Sequence, residues 1–304
     1  MRDPDGLYDL AMGIVPVPGD LHLVAGLTGF ADAGSAVSHM GEYLLETLES
    51  TEVATFDPDA LLDYRARRPI MHFDEDHLTG YQPAKLSLYL MRDELGQPFL
   101  FLSGFEPDFQ WERFTAAILQ LVERYGVKDT TWVHAIPMPT PHTRPIGVTV
   151  SGNRHDLIEA MSVWRPRTQV PANALHLLEY RLQELGHPTA GFVLLVQHYL
   201  ADTEYPQAAV AALESISAAT GLIFPTDELR QENREFVTKV DDQVGANPEL
   251  QRLVGTLEER HDSYMQDNPL PSPLVDQSGE LPTADTIAAE LERFLSERRD
   301  RDGA

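Results

Sequence analysis

The stretch from Leu21 to Leu48 constrains the fold of this chain more than any other. Its apolar run over Leu21 to Leu27 predicts a buried strand, and the glycine turn that follows allows close backbone approach. Apolar residues then recur at the spacing of an amphipathic helix. Asp32 stands where that helix begins, and its carboxylate can accept hydrogen bonds from backbone N–H groups there. A strand, a glycine turn and a capped helix form the first half of a βαβ unit.

Beyond this unit, apolar runs alternate with amphipathic segments. Strands are predicted at 52–56, 85–91, 98–102, 130–136, 148–150 and 191–199, and helices from Pro107 to Tyr125, 172–185 and 208–219. The 85–91 segment alternates as a half-buried or edge strand does, and the prolines of 137–145 predict a loop. Alternating strands and helices favour an α/β fold: a three-layer α/β/α sandwich with a mainly parallel or mixed sheet.

The pattern changes near residue 225. We predict an α/β/α core domain over 1–225 and an acidic helical C-terminal extension over 226–304, with a Pro-rich linker at 268–283. Apolar stripes at helical spacing occur within 250–265 and again within 287–295. The pattern leaves open whether this extension packs on its own domain or on a neighbouring subunit.

Composition excludes several classes of protein. The formal net charge of −25 predicts no binding to nucleic acid or to anionic lipid surfaces. The absence of cysteine excludes disulfides, thiol nucleophiles and zinc–thiolate sites. The charged first residues do not resemble a signal peptide, and no apolar run has the length of a membrane helix. A cytoplasmic location is therefore expected.

Nucleotide-binding loops, zinc-protease motifs and the nucleophile elbow of hydrolases are all absent from the sequence. Ligands in open α/β sheets bind beyond the carboxyl ends of the strands. Candidate ligand-binding residues at the predicted strand ends are Gly26, Thr28, Asp32, Glu106, His142, Arg144 and His198. Their carboxylates, imidazoles and guanidinium could perform acid–base work on an anionic substrate. No cofactor, metal or catalytic set is predicted.

Each candidate has a structural alternative. Asp32 and Glu106 are explained as helix-start residues, and His134 as a core histidine. Arg65, Arg67 and Arg68 could clamp an anion or pair with the acidic surface of the chain. The segment from His72 to His77 contains three consecutive acidic residues, and a solvated acidic loop explains them better than a metal site.

Five segments together resemble a known family. They are GLTGFADAG (26–34), TFDPDALLDYRARRP (55–69), LSGFEPDFQWERF (102–114), PHTRP (141–145) and QHYLADTEYPQAAVAALE (197–214). The order of these motifs resembles the actinobacterial branch of the family named after the second proteasome assembly chaperone. The resemblance extends from about residue 20 to about residue 265.

The resemblance implies an α/β/α sandwich similar to nucleoside phosphorylases and self-association as a homotrimer or another ring. It implies binding of proteasome subunits in eukaryotic and archaeal relatives, which dock through a hydrophobic residue and a Tyr in a C-terminal tail. This chain ends Arg301-Asp302-Gly303-Ala304, so docking by that route is not expected. No catalytic residues follow from the resemblance.

Two functions stay open at this point. The first is a non-enzymatic, oligomeric interaction protein with an assembly-chaperone-like role. The second is a small-molecule protein, enzyme or sensor, that binds an anion or nucleoside-like ligand through Arg144, His142 and the Arg65–Arg68 cluster. A purely structural scaffold is a third option.

Overall fold

The computed structural model describes residues 3–11 and 16–268. Within these ranges the strands are β1 (Tyr8–Leu10), β2 (His22–Thr28), β3 (Ser50–Phe56), β4 (Ile70–Asp74), β5 (His77–Gln82), β6 (Leu86–Arg92), β7 (Pro98–Phe105), β8 (Asp129–Met138), β9 (Gly147–Gly152) and β10 (Thr189–Gln197). The α-helices are α1 (Ala36–Thr47), α2 (Pro58–Leu61), α3 (Trp111–Tyr125), α4 (His155–Met161), α5 (Ala174–Glu184), α6 (Pro206–Thr220), α7 (Asp227–Ala246) and α8 (Pro248–Asp267).

The main sheet has eight strands in the order β1-β3-β6-β7-β2-β8-β10-β9. The pairs β7–β2, β2–β8 and β8–β10 are parallel, and the other four pairs are antiparallel. The sheet is therefore mixed, not mainly parallel. Of the two alternatives predicted for 85–91, a half-buried or an edge strand, the edge position is wrong, because β6 lies between β3 and β7.

Helices cover both faces of this sheet, as the predicted three-layer sandwich requires. Successive residues of β2 point to opposite faces. Val24 packs into the core under α1 and α6, while Leu23 and Ala25 pack into the core under α3 and α5. The buried strands are apolar on both faces for this reason.

Two predicted boundaries are wrong. Helix α3 begins at Trp111 instead of Pro107, because the backbone N–H groups of Asp108 and Phe109 both donate to the carbonyl of Leu61. Strand β8 continues through Pro137, which the sequence assigns to a loop. Since β2 pairs with β8 only as far as Val133, one side of β8 is open at Pro137 and tolerates the missing N–H.

The C-terminal helices pack on their own subunit. Helix α7 contributes Leu229 to the core under α6, and the rings of Phe236 and Tyr205 lie 5.2 Å apart. The division into domains at residue 225 stays a prediction. Apart from Asn268, the predicted linker at 268–283 and the apolar stripe within 287–295 lie outside the described residues.

Strands β4 and β5 form a separate two-stranded hairpin, which the sequence did not indicate. The acidic residues between His72 and His77 lie at its exposed turn. Among the described residues, no helix is long and apolar enough to cross a bilayer.

Candidate functional site

Ligands of open α/β sheets bind beyond the carboxyl ends of parallel strands. In this sheet, the carboxyl end of β2 is such a place. Strand β2 lies between β7 and β8 and is parallel to both. The chain leaves β2 towards β3, on the β7 side, and leaves β8 towards β9, on the opposite side. Such a reversal of strand order opens a crevice. The loops that border it here are 29–35, 106–110 and 139–146.

Gly26 and Thr28 contribute to packing at the carboxyl end of β2. A Cβ atom on Gly26 would lie 3.0 Å from Val37 and 3.1 Å from Met40, so the glycine allows α1 to pack closely on β2. The Thr28 hydroxyl donates to the carbonyl of Gly104 at 3.3 Å. These contacts hold β2 against its neighbours.

Asp32 caps helix α1. Its carboxylate accepts from the backbone N–H of Val37 at 2.7 Å, from that of Ser38 at 2.9 Å and from the Ser38 hydroxyl at 2.6 Å. These three bonds satisfy groups in the first turn that have no partner within the helix. Asp32 therefore acts as a helix-start residue.

Glu106 caps a helix distant in sequence. Its Oε1 accepts from the backbone N–H of Ala174, the first residue of α5, at 2.6 Å. The sequence predicted that this carboxylate lies at the start of the next helix along the chain. Helix α3 begins only at Trp111, and the Glu106 carboxylate caps α5 instead. Burial raises the pKa of the Glu106 carboxyl above its usual range.

The three clustered arginines diverge. The Arg67 guanidinium pairs with Asp108 and lies 5.4 Å from the ring centre of Phe105. Arg65 pairs with Asp63 but is 86% exposed, and Arg68 is exposed to solvent. Only Arg67 reaches the strand ends, so the cluster does not form a three-arginine clamp.

His142 fastens the Pro-rich loop to α7. Its side chain is 1% exposed. The Tyr199 hydroxyl lies 2.7 Å from Nδ1 and accepts from the His142 backbone N–H at 2.7 Å. On the other side of the ring, Nε2 lies 3.1 Å from a carboxylate oxygen of Asp241. His198 is exposed beside Tyr199, with ring centres 5.3 Å apart.

Arg144 fastens the same loop to α8. Its guanidinium pairs with Asp262 at 2.7 Å and with Glu258 at 3.4 Å. Thr143 adds a hydrogen bond to Glu258 at 2.5 Å. Two carboxylates thus neutralise Arg144, which leaves it little capacity to bind an anionic ligand.

The candidates therefore fall into two groups, one around Arg67 and Glu106 and one around His142 and Arg144. No hydrogen bond or ion pair of the described residues joins the two groups. Their roles in ligand binding stay predictions.

His134 lies in the middle of β8 as a buried residue, 4% exposed. Its ring stacks on Phe30 at 5.6 Å between centres. Burial and the neighbouring His176 lower the pKa of His134 to about 4. Its Nε2 has no hydrogen-bond partner among the described residues. These features fit a neutral core histidine.

Sequence reasoning missed a buried carboxylate on the same face. Glu179 accepts from the Trp132 indole N–H at 2.8 Å, from the Ser151 hydroxyl at 2.7 Å and from Gln183 at 3.0 Å. Burial raises the pKa of its carboxyl. The sequence feature that could have indicated this residue is its position within the apolar stripe of α5. Periodicity alone does not distinguish such a buried glutamate from a surface residue.

No group of three or more His, Asp or Glu side chains within 3–11 and 16–268 is arranged to hold a metal ion.

A family comparison decides what kind of protein this fold belongs to. Residues 26–244 match the PAC2 family model. The chain belongs to the PAC2 family. The match begins at Gly26 in β2 and ends within α7, so the PAC2 region includes both groups of candidate residues.

Two solved structures from actinobacteria share this fold. A Corynebacterium glutamicum protein of unknown function is 35% identical with a TM-score of 0.82, over 86% of this chain and 98% of its own. A Mycobacterium tuberculosis protein of unknown function is 40% identical with a TM-score of 0.80, over 88% and 93% of the two chains. The resemblance found in the sequence motifs is confirmed.

A third solved structure shares the fold at lower identity. A proteasome-assembly chaperone homologue from Mycobacterium tuberculosis has a TM-score of 0.70 over 77% of this chain and 100% of its own, at 20% identity. At that identity the likeness establishes the α/β fold only. None of the curated proteins matches this PAC2 sequence.

Proposed function

We propose that this PAC2 protein is a non-enzymatic, assembly-chaperone-like protein that associates with itself and with partner proteins in the cytoplasm. The observation that carries the proposal is the β4–β5 hairpin. It presents large apolar side chains to solvent on a chain that is otherwise strongly acidic.

The hairpin is exposed along its whole length. Every residue of β4 and β5 is exposed, and neither strand pairs with the main sheet. Phe73 and Leu78 lie opposite each other across the two strands and are 72% and 59% exposed. The other large apolar residues exposed here are Ile70, Met71 and Tyr81.

This exposure favours a protein-binding role. A two-stranded hairpin is marginally stable alone in water, and clustered exposed apolar groups mark sites of protein contact. Covering Phe73 and Leu78 with a partner would bury both side chains and order the hairpin. A second copy of the chain carries the same apolar surface and is one such partner.

The charged residues support binding over catalysis. Asp32 and Glu106 cap helices, and Arg144 and His142 hold the C-terminal helices. A catalytic acid or base must reach its substrate within hydrogen-bond distance, whereas these groups contact the protein itself.

Self-association is tested by light scattering on the purified chain after size exclusion. The wild type is expected to be a homotrimer or another ring, and Phe73→Ser with Leu78→Ser is expected to be a monomer that still unfolds cooperatively. Leu95→Ser is the matched control, since Leu95 is 67% exposed outside the hairpin. A monomeric wild type, or a double variant that keeps the wild-type mass, would contradict self-association through the hairpin.

The partner is tested with proteasome subunits, because a structural relative is described as a proteasome-assembly chaperone homologue. Purified proteasome α-subunits from the same organism are mixed with the protein and separated by size. We expect a complex that accelerates assembly of the α- and β-subunits. The absence of both the complex and the acceleration would refute the chaperone role while leaving self-association to its own test.

A further inference from the structure

A cavity of about 680 Å³ lies beneath α8, and its lining includes none of Arg67, Glu106, His142 and Arg144. Its floor is formed by the ends of β8, β10 and β9, and its sides by α6 and α4. The apolar residues that line it include Met138, Ile146, Val148, Met161, Trp164 and Leu195. Its volume is typical of a small-molecule site.

Polar groups of the cavity wall are already engaged. The Ser215 hydroxyl donates to the carbonyl of Ala211 at 2.7 Å, and the Tyr264 hydroxyl donates to the carbonyl of Val163 at 3.0 Å. A polar ligand body would lose its hydrogen bonds to water and find few partners here. The wall therefore selects a ligand with an apolar body.

One cation of the lining differs from these groups. Arg260 lines the cavity from α8, and its side chain has no ion-pair partner among the described residues. Neighbouring charges are committed elsewhere, since Asp262 pairs with Arg144 and Glu214 pairs with Arg230. A guanidinium beside an apolar cavity suits the carboxylate of an amphipathic molecule.

We propose that this cavity binds an acyl-type monocarboxylate, with its hydrocarbon chain along the sheet and its carboxylate at Arg260. Helix α8 covers the site, and Arg144 and Tyr264 hold this helix in place. The proposal does not rest on the hairpin or on a protein partner.

The test is a titration of the full-length chain with dodecanoate, kept below its micelle concentration. Trp164 lines the cavity, so its fluorescence should change in a saturable way, and Trp164→Phe should remove that change while calorimetry still detects binding. Dodecanol and dodecyltrimethylammonium carry the same chain with a neutral or a cationic head. We expect both to bind more weakly than dodecanoate.

Two variants separate the chain from the head group. Ala160→Phe places a ring at the exposed mouth of the cavity and should abolish binding. Arg260→Gln should weaken dodecanoate about tenfold, as expected for loss of a charge-assisted bond, and leave dodecanol unchanged. Arg252→Gln is the matched control, since Arg252 is an exposed arginine of α8 outside the cavity.

Three results would overturn the proposal. They are no saturable binding of dodecanoate to the wild type, binding that Ala160→Phe leaves intact, and equal affinity of Arg260→Gln and the wild type for dodecanoate.

Discussion

Arg144 and Asp262 form two parallel hydrogen bonds, Nε to Oδ1 at 2.8 Å and Nη2 to Oδ2 at 2.7 Å. They join the Pro-rich loop after β8 to α8, 118 residues later in the chain. This geometry is the bidentate pairing for which arginine is best suited. A residue that the sequence marks as an anion-binding candidate thus positions the C-terminal helices on their own subunit.

Replacing Arg144 with alanine should loosen α8. Amide hydrogen exchange within Pro248–Asp267 should accelerate, while exchange in α3 stays unchanged, because local opening follows local contacts. Arg154→Ala is the control, since Arg154 makes a similar two-bond pair with Asp156 only two residues away. Equal exchange in α8 for both variants would contradict the fastening role.

The same pair predicts acid sensitivity of α8. Hydrogen bonds from Arg144 and from His261 lower the pKa of the Asp262 carboxyl to about 2. A carboxyl with a lowered pKa stabilises the folded state above its ordinary pKa of about 3.9 and loses that contribution as the pH falls towards 2. The protection factors of α8 amides, which correct exchange for its own dependence on pH, should therefore fall in that window for the wild type and stay flatter for Arg144→Ala.

Removing the Glu179 side chain should destabilise the fold. Glu179→Ala leaves the Trp132 indole N–H and the Ser151 hydroxyl without their acceptor and opens a cavity, which costs about 2–4 kcal/mol. Chemical denaturation measures this loss. Glu184→Ala serves as the control, because Glu184 is an exposed acid at the end of the same helix.

Glu179 also predicts a pH effect of opposite sign to that of Asp262. Burial raises the pKa of its carboxyl, so the folded state binds this proton more tightly than the unfolded chain. Its contribution to stability is complete below the ordinary glutamate pKa of about 4.3 and declines as the pH rises through the raised pKa. Glu179→Gln should remove this decline, and an unchanged profile would contradict the assignment.

Gly191 should not tolerate a side chain. A Cβ atom at this position would lie 2.6 Å from Oε2 of Glu179 and would overlap the Trp132 ring. Gly191→Ala should therefore cost about 1–3 kcal/mol through overpacking. Gly245→Ala is the control, since Gly245 lies in helix α7 with no neighbour within 4 Å of the added atom. It should be neutral or slightly stabilising.

His134 should stay neutral across the physiological range. Its pKa of about 4 lies below the ordinary histidine value of 6.5 because the ring is buried. The stability of the folded state should be full above pH 6.5 and fall as the pH drops towards 4, by on the order of 3 kcal/mol. His134→Phe should flatten this part of the stability profile. An NMR titration that shows protonation of the His134 ring near pH 6.5 would contradict the prediction.

The sandwich was predictable because local patterns repeat along the chain. Apolar runs of β2, β7 and β10 have the length and composition of buried strands, and Asp32 precedes a helix that it caps. The PAC2 motifs identified the family. Strand direction was not predictable in the same way, because an apolar run looks the same in a parallel and an antiparallel pair.

The site was less predictable, because it depends on pairs distant in sequence. The Glu106 carboxylate accepts a hydrogen bond from the Ala174 backbone, and Arg67 forms an ion pair with Asp108. No local sequence pattern predicts either contact. The hairpin at 70–82 was not predictable from the sequence. Its strands bury no side chains, so they lack the alternation of apolar and polar residues that marks a half-buried strand.

The sequence by itself determined most of the strands and helices of the sandwich, which faces they bury and which family the chain belongs to. These properties depend on residues that are near one another along the chain. Only the tertiary structure decided what the charged side chains do. A carboxylate or a guanidinium is defined by the partner that it meets and by the water that it loses, and both depend on how distant segments pack.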